Sequence, residues 1–196
     1  MRFSTVLCAA ALAMPVAAMA QAQPGTVRVD YVHSGNANVE HYALERVLIE
    51  PLPWAGSLSQ AIDTTDRGIN KVEVVDARTG KLLYSRGFST IFGEWRTTEE
   101  AGKLDRAFSE SVRFPQFEQP VKVRILKRGK NNAFTPVWTT DIDPAAQDVV
   151  RRQPEAPARP IPIRVSGPSP SKVDLLVLGD GYTAADMKKF EADAKR

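Results

Sequence analysis

The residues best placed to meet a ligand are Gly179, Asp180 and Gly181, followed by Tyr182 and Thr183, where two glycines turn the chain between an apolar run and an amphipathic stretch. A glycine turn between a buried strand and a helix start gathers backbone N–H groups, which can hold an anion or a ligand carboxylate. The same residues also make an ordinary tight turn, and they match neither G-x-G-x-x-G nor a P-loop. Asp180 would stand at the carboxyl end of a strand, where sites in open α/β sheets collect. Elsewhere the candidates thin out. The two histidines, His33 and His41, belong to no H-E-x-x-H or H-x-H pattern, and both read as polar residues at exposed strand positions. Glu40 and His41 are adjacent, so a strand would point them to opposite faces. Gly87-Phe88-Ser89 lacks the second glycine of a nucleophile elbow. Glu94, Glu99, Glu100 and Asp105 lie in a polar stretch that reads as a solvated loop. Phe88, Phe92 and Trp95 fall in a dense aromatic segment, which suits core or interface packing better than a binding platform.

These residues need elements to position them. Val27, Val29 and Tyr31 alternate with Arg28, Asp30 and Val32, and Gly35-Asn36-Ala37-Asn38 turns the chain toward a second run over 39–49. Runs at 71–75 and 81–84 flank Asp76-Ala77-Arg78-Thr79-Gly80, the composition of a type I turn closed by a glycine bulge. A third pair spans 121–126 and 133–142 around Gly129-Lys130-Asn131-Asn132, and 108–114 adds a strand. The segment 51–70 reads as a long connection. Such strands, each with one buried and one wet face, predict a two-sheet β-sandwich over 23–151. Six prolines between 153 and 172 predict a semi-rigid linker over 152–171, with brief pairing through Ile161, Ile163 and Val165.

At 172–196 the pattern changes. Val173, Leu175, Leu176, Val177 and Leu178 predict a strand buried on both faces, and Thr183 with Asp186 predicts a capping box opening a helix striped by Met187, Phe190 and Ala194. One strand and one helix cannot bury both faces, so this reads as the truncated start of an α/β domain. The fold class is therefore mainly β: a sandwich followed by a truncated α/β segment.

The amino terminus has a positive residue, a short apolar run interrupted at Pro15, and Ala18-Met19-Ala20, the parts of a signal peptide cleaved after Ala20 or Ala22. It predicts export to a bacterial periplasm or the exterior. Cys8, the sole cysteine, lies inside that leader, so the mature chain would carry no disulfide. No later run is long enough to span a bilayer. The formal charge of +3 falls by one with Arg2, and the remaining cations are interspersed with acids, which argues against nucleic acid as a partner.

Three segments carry a resemblance. YSRGFSTIFGEWRTTEEA at 84–101, FSESVRFP at 108–115 and KVDLLVLGDGYTAADMKKF at 172–190 together resemble the IgA peptidase family, metallopeptidase family 64. The first two resemble its amino-terminal β-rich domain, the third the opening strand and helix of its catalytic domain. The resemblance implies a secreted parent enzyme that hydrolyses peptide bonds with a zinc-activated water. It also implies a downstream catalytic domain of the same protein as partner and a peptide or protein as substrate. The family's zinc-binding helix would lie downstream of Gly181, so no catalytic or metal residue and no cofactor is assigned to this chain, which would be inactive alone. An alternative from another class is a secreted, non-enzymatic module binding glycan or protein through Trp54, Trp95 or Trp138.

Overall fold

The computed structural model describes residues 23–153 and 160–196. The leader, with Cys8, and the stretch 154–159 lie outside the described residues.

Alternation of apolar and polar residues produces eight strands. They are β1 (Gly25–Gly35), β2 (Glu40–Pro53), β3 (Asn70–Asp76), β4 (Leu82–Phe88), β5 (Arg106–Pro115), β6 (Val121–Arg128), β7 (Phe134–Ile142) and the two-residue β8 (Val150–Arg151). Between β4 and β5 lie a short helix, α1 (Ile91–Trp95), and a 3₁₀ turn. The strands form two four-stranded sheets, ordered β5-β1-β2-β8 and β4-β3-β6-β7. All neighbours are antiparallel except β2 and β8, where Leu48 pairs with Val150 and Ile49 with Arg151.

The two inner faces make one core. From the first sheet come Val27, Val29, Tyr31, Val47, Val112 and Phe114; from the second come Val72, Val74, Tyr84, Val121, Val123 and Ile125. Each set follows the two-residue period of a pleated strand, which presents one row inward and leaves Arg28, Lys122 and Arg124 facing out. Turn chemistry fixes the registers. Asp76 Oδ1 accepts from the amides of Arg78 and Thr79, at 3.0 and 2.7 Å, and Gly80 takes φ 72° to close the β3–β4 hairpin. Asn36 Oδ1 does the same for Asn38 and Val39 between β1 and β2.

Two expectations from the sequence fail here. The run at 173–178 forms no strand: it has no ladder with any of β1–β8 and no regular secondary structure, and Val173 and Leu175 are 96% and 88% exposed. A strand is held by its neighbours' amides and carbonyls, and none lies beside this run among the described residues. Likewise Ile161, Ile163 and Val165 do not pair; the brief pairing after the sandwich comes earlier, at Val150–Arg151. The helix does form, as α2 (Met187–Ala194) behind a 3₁₀ turn at Ala184–Asp186.

Candidate functional site

The glycine turn is held by its own helix. Gly181 takes φ 78°, and a Cβ on Gly179 would lie 3.3 Å from the Phe190 ring. Asp186 Oδ2 accepts from the Thr183 amide at 3.2 Å and from its hydroxyl at 2.6 Å. The Tyr182 ring lies 5.1 Å from Phe190, and its hydroxyl donates to Asp193. These contacts account for both glycines as turn residues. Asp180 is exposed and makes no side-chain hydrogen bond or ion pair among the described residues.

The aromatic residues are split. Phe92 is fully buried, 5.6 Å from the Trp95 ring, and Phe108 of β5 lies 6.1 Å from Phe92 and 5.5 Å from Trp95. The Trp95 indole N–H donates to Glu100 at 2.8 Å. Phe88 sits apart, packed on the sandwich core from β4, with no ring contact to that pair among the described residues. Trp54 and Trp138 also pack on the core, so none of the three tryptophans stands out from the surface as a sugar platform would need.

Beneath Phe92 lies a group the sequence misplaced. His33 is 1% exposed rather than on a wet strand face. Its Nδ1 lies 3.1 Å from Glu110 Oε2 of β5 and its Nε2 3.3 Å from Glu40 Oε2 of β2. The ring is sandwiched between Phe92, at 3.9 Å, and Tyr42, at 4.2 Å. Glu40 also receives the Tyr42 hydroxyl at 3.2 Å and pairs with Lys127 of β6 and Arg96, the residue after α1. Glu110 Oε1 accepts the amide of Phe92 at 3.2 Å. One cluster thus ties both sheets and α1 together at the end of the sandwich.

The cluster's surroundings shift its neighbours. Burial, with the Glu110 charge adding, pushes the Tyr42 phenol up to about 12, against a hydrogen bond from Asn70 that favours ionisation. Tyr31 is pushed up further for the same two reasons. Burial lowers the Lys127 ammonium, and the Arg96 charge adds to that.

Among the described residues, no nucleophile–base pair is assembled here: the His33 ring nitrogens face only carboxylates. His41 is exposed, at the rim of an open cleft of about 510 Å³ lined also by Asn36, Asp105 and Arg106. There Asn36 is bonded to Asp105 at 2.7 Å and Arg106 to Glu100 at 2.6 Å. Zinc does not fit either: both ring nitrogens of His33 are engaged, on opposite sides of the ring, and no three His, Cys, Asp or Glu side chains converge among the described residues.

Residues 19–139 match the family model of the peptidase M64 N-terminus. The chain belongs to this family. Residues 161–196 match a second model, that of the IgA peptidase M64, which implies a catalytic domain in the same protein. None of the curated proteins matches the chain.

Within this M64 N-terminal region, the His33 cluster is the group that sequence pattern alone does not reveal. The signal was half present: Val27, Val29, Tyr31 and His33 are spaced by two, which puts the histidine on the core face. Its partners could not be read that way, since Glu110 joins it only through the β1–β5 register.

Proposed function

We propose that the β-sandwich of residues 23–151 is a non-catalytic accessory domain of an exported M64 zinc metallopeptidase. In this reading the linker at 152–171 leads into a catalytic domain that opens at 172, and the substrate is a peptide or protein. The observation that carries it is the order of the two family matches, N-terminal region first and peptidase second, along a chain whose buried ionisable cluster faces the core. Peptide hydrolysis by this class needs a metal-activated water. In this reading zinc is bound by the catalytic domain, and the sandwich, in whose described residues no three His, Cys, Asp or Glu side chains converge, adds no ligand to it.

The test is to express the parent protein with and without residues 23–151. The accessory role predicts that deletion lowers the catalytic domain's soluble yield, its Tm or its kcat/KM on an unstructured protein substrate. Unchanged values for all three would end it. Export is checked separately, by finding Gln21 or Gln23 at the amino terminus of the secreted protein.

A further inference from the structure

The His33 cluster has a charge pattern that packing alone does not require. Glu40 already has two cations, Lys127 and Arg96. Among the described residues, Glu110 has none within ion-pair distance except the His33 ring. For both ring contacts to be hydrogen bonds, both ring nitrogens must carry protons, because carboxylates only accept. A neutral ring would turn a lone pair toward one of the two carboxylates.

We propose that His33 is a proton-dependent latch: as an imidazolium it bridges Glu110 and Glu40 and holds α1 across the end of the sandwich, and loss of its proton releases α1. The other titratable and charged groups around the ring are Tyr42 on β2, Tyr31 on β1, Lys127 on β6 and Arg96 beyond α1. Release acts through two links. The Phe92 amide is bonded to the carboxylate that the imidazolium holds, and the Phe92 ring lies directly on the imidazole. The closed state binds one more proton than the open one, so raising the pH favours opening.

The experiment is hydrogen exchange on the whole chain between about pH 5 and pH 8, the range in which histidine changes charge, with each rate divided by its intrinsic value. The protection of the Phe92 amide should fall by about tenfold across the range, the size set by losing one charge-assisted hydrogen bond. In H33Q the protection should be independent of pH. Should H33Q fail to fold, E110Q replaces it, keeping an acceptor for the Phe92 amide without the charge, and its slope should also vanish. Protection that does not change with pH in the native chain, or a slope that survives in either variant, overturns the latch. Nitrogen-15 shifts of the ring test the same point independently: protons on both nitrogens at the acid end support it, and a single neutral tautomer throughout refutes it.

Discussion

Asp63 shows how one side chain can anchor a long connection. It is buried, its carboxylate accepts from the amide and hydroxyl of Thr65 at 2.8 and 2.7 Å and from the Gly87 amide at 2.8 Å, and its own amide donates to Ser85 Oγ. The Thr65 hydroxyl bond does most to lower the carboxyl to about 2, burial opposing it and the two amides assisting. With the folded value depressed, the unfolded chain takes up the proton first as the pH falls. The stabilisation is therefore full above about pH 4 and is lost between there and about pH 2. Asp63→Asn should lower the unfolding free energy at pH 7 by about 2 kcal/mol, with the gap from the parent closing toward pH 2 in urea titrations. A gap that stays constant with pH would show that the charge is not what the loop uses. Phe92 is the other residue with a large expected effect. It is fully buried between His33 and Phe108, and Phe92→Ala should cost about 3–5 kcal/mol by denaturant unfolding.

Between elements, the 51–70 connection crosses β4 closely at Gly87. A Cβ on Gly87 would lie 1.8 Å from the Arg67 carbonyl oxygen, so the backbone of the connection would have to move. Gly87→Ala should destabilise by about 2 kcal/mol or more, whereas Gly102→Ala, whose added methyl meets nothing within 4 Å, should leave the Tm unchanged. The sequence showed the hairpins well because their signals are local: Asp76 to Gly80 holds the turn chemistry, and Thr183 with Asp186 holds the cap. It failed where partners decide. Val173 to Leu178 has the composition of a central strand but no ladder, β8 is a two-residue strand defined only by Leu48 and Ile49, and His33 is buried because Glu110 and Glu40 arrive from other strands.

Across the whole molecule, the sandwich and the segment after it differ in exposure. The strands bury a common core, while Arg164 and Lys172 lie in an exposed, irregular stretch. Brief trypsin treatment should therefore cut first after Arg164 or Lys172 and leave a product that retains β1–β8, identifiable by mass. First cuts at Lys122 or Arg124, within β6, would show that the sheets open more readily than that stretch.

The order of strands in the first sheet also sets how the chain reaches its native state. β1 lies between β2 and β5, with Thr26 opposite Pro115 and Gly35 opposite Arg106, so its second edge stays unsatisfied until a strand from far along the chain arrives. Closing so long a loop is slow compared with forming β3–β4 across its short turn. Docking of β5 should therefore limit the rate: Val112→Ala should slow refolding in stopped-flow experiments, and Thr79→Ala, which removes the hydroxyl that accepts from the Lys81 amide in a turn formed before that step, should leave the unfolding rate unchanged.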